Sequence, residues 1–450
     1  MSFRLRPYQS RLVESGLKYF RGKSNKPSIL VSPVGSGKSI VISEIASSLK
    51  GDTVVFQPRE SLLRQNVDKI NKYGINPSIC SASMGQFEVG ELTYSTIGTA
   101  VNRLELFNGV KNVIIDECHF VSPANNTMYK KFLNYIKADK VLGLTATPFR
   151  TKTSSYGSRL CVLNRTKPKV FKDILEVVQI KEMVQGQYWA EYEIEQHDFG
   201  IDSVLDKEFK SRLDYSPEII KNAIDYLEIR PKVVERIKAL NKEGYKNILV
   251  FCKSLAEVDY YLNNIEGSVA VSSENNKKEN NKALRDFESR TANVLVNCEM
   301  LTTGYDCPQI DAVVFARPTR SFTFFYQMFG RGIRIHPEGK PCLFVDFVNN
   351  VKRFGDLRDF KIELDYRDLY EGTMKGNIIT SYVEDNPKFG SPIKKKEDMV
   401  EIMPIGKYRD KPIKDISDKN YLTWFLGNVK GYEKTAKVIK KYNPQLADAV

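Results

Sequence analysis

A short glycine-containing loop between two apolar segments restricts the fold of this chain more than any other part of its sequence. The loop reads Ser32-Pro33-Val34-Gly35-Ser36-Gly37-Lys38-Ser39. The apolar run 29–31 precedes it as a buried strand would, and the apolar-periodic segment 40–49 follows it as a helix would. A strand, such a loop and a helix are the context of a phosphate-binding loop. Ser32 stands where the usual pattern has its first glycine.

The polar groups of this loop predict how it would hold a nucleotide. Gly35 and Gly37 let the backbone pass close to a phosphate and direct N–H groups at it. The N-terminus of the following helix adds partial positive charge. Lys38 is expected to reach the β- and γ-phosphates, and the Ser39 hydroxyl to hold Mg²⁺.

Bulk composition favours a globular protein with a polyanionic partner. The chain has 450 residues, enough for two or three domains, and 42% of them are hydrophobic. Lys and Arg number 68 against 55 Asp and Glu, a net charge of +13. Nucleic acid is the usual partner of such a chain.

The termini, cysteines and histidines predict a cytoplasmic protein without a structural metal. Residues 1–6 lack the apolar core of a signal peptide, and no apolar run reaches the roughly 18 residues of a membrane span. The seven cysteines form no Cys-x-x-Cys pair, and there are only three histidines. Reduced core thiols are therefore expected rather than disulfides or zinc.

Two series of apolar runs separated by helix-length segments predict an α/β fold with two tandem doubly wound parallel-sheet domains. The expected strands are 29–31, 54–56, 113–115 and 141–144 in the first series, and 248–251, 269–271, 294–296, 313–315 and 343–345 in the second. Chemistry in such sheets gathers at the carboxyl ends of strands.

The predicted organisation has five parts. They are a first domain (1–155), a partly helical connecting segment (156–240), a second domain (241–355), a linker (356–398) and a small C-terminal α+β module (399–450). In the connecting segment, Tyr188 and Trp189 could stack on bases. Packing in a core or between domains is favoured for them.

Two acidic residues after the expected strand 113–115 suit phosphoryl transfer. The carboxylate of Asp116 can hold Mg²⁺, directly or through water, and Glu117 can polarise the water that attacks a γ-phosphate. Such pairs are common on surfaces. Their place at the end of a buried strand, downstream of a phosphate loop, favours the catalytic interpretation.

The second domain contains a basic segment, Gln327-Met328-Phe329-Gly330-Arg331-Gly332-Ile333-Arg334. Arg331 and Arg334 are three residues apart and fall on one helical face. An arginine supplied to a γ-phosphate speeds phosphoryl transfer by roughly 10³–10⁵. The alternative, a basic face that binds a phosphate backbone, stays open, and both roles can hold in part.

From residue 3 to residue 346 the chain resembles superfamily 2 helicases and translocases, which have two RecA-like domains. The motifs stand in the family order: 6–9 (Arg-Pro-Tyr-Gln), 32–39, 57–62, 93–99, 116–119 (Asp-Glu-Cys-His), 145–147 (Thr-Ala-Thr), 249–254, 296–308 and 327–334. The resemblance implies ATP and Mg²⁺ as cofactors. It also implies a nucleic-acid strand running across both domains, on the side opposite to ATP.

The resemblance assigns roles by position. For ATP binding it implies Arg6, Gln9 (to adenine), Val34, Gly35, Ser36, Gly37, Lys38, Ser39, Gly304 and Asp306; for metal, Ser39 and Asp116. For catalysis it implies Glu117, His119, Gln327, Arg331 and Arg334, and for coupling Thr145 and Thr147. For nucleic-acid contact it implies Pro58, Arg59, Thr96, Gly98, Thr99, Lys253, Ser254, Thr302 and Thr303.

The C-terminal segment is similar to the small C-terminal domain of exonuclease X-type proteins. The similarity rests on 403–408, on 411–413 and on Tyr421-Leu422-Thr423-Trp424-Phe425-Leu426. It implies help in DNA binding, with Lys407, Tyr408, Lys411 and Trp424 as candidates, and it brings no nuclease site. An unrelated basic tail is the alternative.

These observations predict an ATP-dependent helicase or translocase acting on single-stranded or branched DNA, as a monomer, in replication, recombination or repair. Three alternatives remain: an RNA-remodelling helicase, a motor that moves on duplex DNA without separating it, and a binding protein with a decayed ATP site. The intact Lys38, Asp116, Glu117 and Arg334 count against the third. By analogy alone, a phage or bacterial origin is expected.

Overall fold

The described residues form two parallel-sheet lobes, a three-stranded sheet, a two-stranded sheet (Phe149–Ser154 with Gly157–Val162) and a helical module. The computed structural model describes residues 4–72, 74–124, 126–154, 157–166, 168–208, 214–298, 300–301, 305, 307–364, 369–380, 401, 403, 406–408, 411–429 and 433–446. Within them, no helix has the length and apolar character needed to cross a membrane.

The strands, in chain order, are β1 (Ser28–Val31), β2 (Thr53–Phe56), β3 (Ser78–Ser81), β4 (Gln86–Phe87), β5 (Leu92–Ser95), β6 (Asn112–Ile115), β7 (Lys140–Thr145), β8 (Phe149–Ser154), β9 (Gly157–Val162), β10 (Asp173–Val177), β11 (Tyr192–Gln196), β12 (Ile248–Cys252), β13 (Ser268–Val271), β14 (Val294–Cys298), β15 (Ala312–Phe315), β16 (Cys342–Asp346), β17 (Phe360–Leu364), β18 (Tyr370–Met374) and β19 (Asn377–Ile378).

The α-helices are α1 (Pro7–Arg21), α2 (Lys38–Ser47), α3 (Glu60–Asn71), α4 (Ile97–Ala100), α5 (Met128–Ile136), α6 (Ile180–Gln185), α7 (Ile201–Glu208), α8 (Pro217–Tyr226), α9 (Ile229–Lys242), α10 (Leu255–Asn264), α11 (Lys277–Glu288), α12 (Phe322–Phe329), α13 (Asn350–Phe354), α14 (Lys419–Asn428) and α15 (Glu433–Tyr442).

The first lobe is built on the sheet β10-β1-β7-β6-β2-β5-β3-β4, which is parallel except for the pair β3–β4. The second lobe is built on the parallel sheet β11-β16-β15-β12-β14-β13. Their central strands are fully buried apolar segments, as expected for sheets covered on both faces. The predicted α/β fold with two tandem parallel-sheet domains is confirmed.

The connecting segment predicted at 156–240 contributes a strand to each lobe. β10 pairs with β1 at one edge of the first sheet, and β11 pairs with β16 at one edge of the second. Both are half-buried edge strands that contain acidic residues. Only one face of each strand packs against the core, so both strands mix polar and apolar residues. They therefore form no apolar run by which the sequence would predict them.

The predicted linker at 356–398 requires a correction in its first part. Residues 360–364, 370–374 and 377–378 form the antiparallel sheet β17-β18-β19, which packs against both lobes. The ring of Phe360 lies 5.9 Å from that of Phe149 in the first lobe and 4.9 Å from that of Phe322 in the second. Residues 381–398 lie outside the described part of the chain.

The C-terminal module has a separate apolar core, formed by Met403, Ile413, Ile416, Leu422, Phe425, Val438, Ile439 and Leu446. Its described elements are helical. Asp418 starts α14 by accepting the backbone N–H of Tyr421, an N-cap that satisfies a helix-terminal donor. The predicted small apolar centre around 421–426 lies in this helix.

The small sheet β17-β18-β19 should contribute measurably to the stability of the whole chain. We expect Phe360→Ala to lower the free energy of unfolding by about 3–4 kcal/mol, because Phe360 is 3% exposed among aromatic rings of both lobes. Urea unfolding followed by fluorescence measures this. Tyr226→Ala, at a residue that is 78% exposed, is the matched control and should change stability by less than about 0.5 kcal/mol. Equal effects of the two changes would contradict the role of the sheet.

Candidate active site

The phosphate loop between β1 and α2 depends on two glycines and a serine for its shape. Gly35 and Gly37 have φ angles of 72° and 76°, a left-handed conformation that strains other residues. A Cβ at Gly37 would also lie 2.7 Å from Nε2 of Gln9. The Ser32 hydroxyl donates to Oγ of Ser36 at 2.6 Å. The serine that replaces the usual first glycine therefore braces the loop.

Side chains around the loop hold its carbonyl groups. The Tyr8 hydroxyl and Nε2 of Gln9 both donate to the Ser36 carbonyl, at 2.9 and 2.8 Å. The indole Nε1 of Trp189 donates to the Val34 carbonyl at 2.9 Å. The carbonyl oxygens of Ser36 and Val34, which would repel a bound phosphate, are thus held by protein donors.

The backbone N–H groups of the loop remain available to a ligand. In the part of the chain that the structure describes, those of Gly35, Gly37, Lys38 and Ser39 donate to no protein acceptor. Lys38 and Ser39 also begin α2, so the positive end of the helix dipole lies at the same place. This arrangement is an anion site suited to phosphate groups.

A buried carboxylate, Asp116, and a half-buried one, Glu117, lie near one lysine at this edge of the sheet. Nζ of Lys38 lies 3.4 Å from Oε1 of Glu117, and Asp116 accepts the backbone N–H of Glu117 at 2.9 Å. Burial, reinforced by the Glu117 charge, raises the pKa of Asp116 to about 7. Burial would also raise the pKa of Glu117, but Lys38 and His119 outweigh it and lower that pKa. When Asp116 is ionised, Lys38 and the two carboxylates together carry more negative than positive charge.

A divalent cation would balance this excess of negative charge. Mg²⁺ takes oxygen ligands and is usually held by one or two carboxylates together with substrate phosphates and water. The Asp116 carboxylate and the Ser39 hydroxyl are oxygen ligands of this kind. No cluster of three or more His, Cys, Asp or Glu side chains able to hold a metal is found among the described residues. The residues present therefore fit Mg²⁺ bound together with a nucleotide phosphate.

His119 connects the first lobe to the second. Its Nδ1 lies 2.9 Å from the hydroxyl of Thr145, 3.5 Å from that of Thr147 and 3.3 Å from Oε2 of Glu117. Its Nε2 lies 3.4 Å from Nε2 of Gln327 in the second lobe. A continuous polar path therefore runs from the end of β7, through the carboxylate edge, to α12.

The two arginines after α12 keep their charge in a buried setting. Arg331 is 8% exposed and donates to the carbonyl of Tyr305. Burial lowers the pKa of Arg331 and of Arg334 to about 10 in each case, and the nearby Glu117 favours the charged form of Arg331. Both remain protonated at neutral pH. Positive charge from the second lobe thus faces the carboxylates of the first.

The structure places the residues predicted near the base beside the loop. Gln9 accepts the backbone N–H of Arg6 at 2.9 Å, in addition to its bond to the loop. The Arg6 guanidinium lies 4.7 Å from the ring centre of Tyr188, which meets Tyr8 edge-on at 5.0 Å. In this arrangement the Gln9 amide supports the phosphate loop and the start of α1.

The residues predicted to contact nucleic acid lie where strands of both sheets end. Pro58 and Arg59 follow β2, Thr96 and the α4 residues Gly98 and Thr99 follow β5, and Lys253 and Ser254 follow β12. Thr302 and Thr303, also predicted to contact nucleic acid, lie outside the described part of the chain. So do Gly304 and Asp306, which are predicted to bind ATP.

The two lobes touch at this same edge. Nη1 of Arg59 donates to the carbonyl of Met300 at 3.4 Å, and Glu60 pairs with Lys277 at 3.0 Å. Both contacts join the first lobe to the second. The side chain of Ser254 caps α10, and the backbone N–H groups of Lys253 and Ser254 donate to Oε2 of Glu257 at 3.3 and 3.0 Å.

The C-terminal candidates lie together on the separate module. Nζ of Lys407 and of Lys411 lie 5.0 and 5.5 Å from the ring centre of Tyr408. The Tyr408 hydroxyl donates to Asp418 at 2.8 Å. Trp424 is 52% exposed. The module thus presents two lysines and an indole at its surface.

Sequence reasoning missed three residues that shape the loop. In the sequence, Ser32 appears only as a departure from the phosphate-loop pattern, and Tyr8 only as a member of the segment 6–9. Trp189 stands 155 residues after Val34, so no local signal links it to the loop. Only the first two could have been suspected from their place beside a motif.

Comparison with known proteins agrees with this geometry. Residues 2–150 match the family model for the res subunit of type III restriction enzymes, and residues 231–336 match that for the helicase conserved C-terminal domain. Together the two models cover more than half of the chain. They fall on the first lobe and on the part of the second that carries Gln327, Arg331 and Arg334.

Similar full-length proteins include helicases and translocases. A putative ATP-dependent helicase, IRC3 of Saccharomyces cerevisiae, is 24% identical over 76% of this chain and 51% of its own length. A DNA 3'-5' translocase, XPB2 of Sulfurisphaera tokodaii, is 26% identical over 76% of this chain and 81% of its own. The chain therefore spans about half the length of the yeast relative.

A solved structure supports the fold. A fragment of a putative HsdR subunit of a type I restriction enzyme from Vibrio vulnificus YJ016 aligns with a TM-score of 0.57 at 17% identity. The alignment covers 79% of this chain and 66% of that one. By these two matched models, in this order and on two lobes of this architecture, the chain is similar to helicases and translocases of superfamily 2.

Proposed function

We propose that this chain is an ATP-driven motor that moves along or unwinds DNA, with nucleotide held by the first lobe and hydrolysis completed by the second. One observation carries the proposal: Nε2 of Gln327 in the second lobe lies 3.4 Å from Nε2 of His119 in the first. A site divided in this way is complete only when the lobes are together. Hydrolysis then becomes tied to domain closure.

Lys38 prepares the site by holding Glu117. The 3.4 Å ion pair ties up the carboxylate that we assign to the attacking water. A γ-phosphate gives Lys38 a more highly charged partner, so nucleotide binding frees Glu117 to orient that water and take up its proton. Lys38 thus links occupancy of the loop to activation of Glu117.

Asp116 and Ser39 would hold Mg²⁺, which when bound neutralises phosphate charge. Arg331 and Arg334 stabilise the negative charge that develops on the transferred group, and Gln327 positions the water. Gln9 and Arg6 remain our candidates for contact with the base.

A nucleic-acid strand is proposed to cross the edge where Arg59 and Glu60 meet the second lobe. Binding there would alter the spacing of the lobes, and the Thr145–His119–Gln327 path would carry that change to the carboxylates. Contacts mainly to phosphates predict affinity that falls steeply with salt and depends little on base sequence.

DNA is favoured over RNA because a similar protein is named a DNA translocase and the matched family model is a restriction-enzyme subunit. The same comparisons favour, as a second candidate function, a motor that moves on duplex DNA without separating it. We also propose that the C-terminal module adds DNA contacts through Lys407, Lys411 and Trp424, because these side chains lie on its surface.

ATPase rates measured with matched single-stranded DNA, duplex DNA, branched DNA and RNA test the function. We expect DNA to raise the rate at least tenfold and RNA to raise it much less. Stronger stimulation by RNA would overturn the choice of substrate. Displacement of a third strand from a triplex without unwinding of a fork would select the duplex motor.

Removing either of two charged groups should stop turnover without abolishing strand binding. We expect Lys38→Ala and Glu117→Gln to lower kcat at least a hundredfold, because one loses the phosphate contact and the other the group that orients water. Binding to single-stranded DNA should change less than threefold.

Lys50→Ala is the matched control, since Lys50 is exposed just beyond the same helix. It should leave kcat within twofold of the parent. Retained hydrolysis in either active-site variant would count against the assigned roles.

The link between His119 and the end of β7 can be tested by Thr145→Val, which keeps the side-chain shape but removes the hydroxyl. We expect DNA-stimulated hydrolysis to fall roughly three- to tenfold, the cost of one buried hydrogen bond, while hydrolysis without DNA changes less than twofold. Thr53→Val makes the same change at a buried strand position away from the site and should alter neither rate. Equal loss of both rates in the Thr145 variant would argue against coupling.

A further inference from the structure

We propose that Trp189, in the segment joining the two lobes, is a positioning residue of the phosphate loop and registers its occupancy. The inference deepens the proposed function and rests on it. No motif contains this residue, and its effect would be exerted through the backbone of Val34 rather than by contact with the nucleotide.

The indole acts on a single peptide group of the loop. Trp189 is 4% exposed, and its Nε1 donates to the Val34 carbonyl at 2.9 Å. The carbonyl of Val34 and the N–H of Gly35 belong to one planar trans peptide, so they point in opposite directions. Holding the carbonyl toward the indole therefore directs the Gly35 N–H away from it, toward the anion site.

The same loop residue is contacted from the second lobe. A Cβ at Gly330 would lie 2.7 Å from Cγ2 of Val34, so the end of α12 approaches the Val34 side chain as closely as a glycine permits. Val34 thus has Trp189 on its carbonyl and the second lobe on its side chain. A movement of Trp189 or of the second lobe therefore changes the strain on the Val34–Gly35 peptide.

The segment that carries Trp189 is fixed at both of its ends. Near its start, Glu182 accepts from Arg11 of α1 at 2.8 Å, and Nε2 of Gln179 donates to the carbonyl of Ile362 in the three-stranded sheet at 2.5 Å. Near its end, the N–H of Ala190 donates to the carbonyl of Ile333 at 2.9 Å. Movement of the second lobe is therefore passed to Trp189 by a short, tethered segment.

This arrangement predicts a specific division of kinetic effects. Without the indole N–H, the Val34–Gly35 peptide is free to rotate, and the loop must be ordered by the nucleotide itself. ATP binding weakens, whereas the groups that carry out hydrolysis, Glu117 and the arginines after α12, stay in place. KM for ATP should therefore rise more than kcat falls.

Steady-state kinetics of Trp189→Phe test this directly. Phenylalanine keeps a buried ring and removes the donor, so we expect KM for ATP to rise about fivefold, the cost of one hydrogen bond, and kcat to fall less than twofold. Tyr19→Phe is the matched control. It removes a buried aromatic donor to a backbone carbonyl, that of Val141 at 3.1 Å, in the same lobe but away from the loop, and should leave KM within 1.5-fold.

A spectroscopic measurement keeps the test independent of how well that variant folds. The chain has two tryptophans, so Trp424→Phe leaves Trp189 as the sole indole. We expect ADP titrated into this variant without DNA to shift its fluorescence in a saturable way, because the Val34 peptide that the indole contacts responds to phosphate.

The outcomes separate the two proposals. An unchanged KM for ATP in Trp189→Phe overturns the role of Trp189. So does the absence of a fluorescence shift in Trp424→Phe at ADP concentrations that equilibrium dialysis shows to saturate the site. In either case, DNA-stimulated hydrolysis by the parent chain still upholds the proposed function. A parent chain that neither binds nor hydrolyses ATP overturns both.

Discussion

The shortage of positive charge at the end of β6 shapes the rest of the site. One lysine lies near the buried Asp116 and the half-buried Glu117, and it pairs with Glu117 while the pKa of Asp116 is raised by burial and by its neighbour. Burying unbalanced charge is costly. A metal ion held with a nucleotide, as we propose, and the arginines of the second lobe would supply the missing positive charge. Nucleotide binding and lobe closure would therefore both stabilise the carboxylates of Asp116 and Glu117.

That balance also explains why the second lobe must come so close. Arg331 stays protonated although burial lowers its pKa, and Glu117 is one of the groups that favours its charge. The approach is made possible by Gly330, because any larger residue there would collide with Val34 of the phosphate loop. The two lobes are held further by the small sheet β17-β18-β19, in which Phe360 contacts aromatic rings of both.

Much of this arrangement could be predicted because it depends on local patterns. The strand and helix around the phosphate loop, the carboxylates after a buried strand and the basic segment after α12 each carry a recognisable spacing. Edge strands β10 and β11 and the small sheet were not predicted, because strands with one buried face mix polar and apolar residues.

The sequence by itself determined which side chains are available for the chemistry that we propose: a lysine and N–H groups for phosphate, carboxylates for metal and water, and arginines for developing charge. Only the tertiary structure decided which side chains contact one another. Trp189 supports a peptide 155 residues away, and His119 meets both Thr145 and Gln327. Such pairings follow from how two sheets and the segment between them pack, because hydrogen bonds at 3 Å depend on folded positions rather than on spacing along the chain.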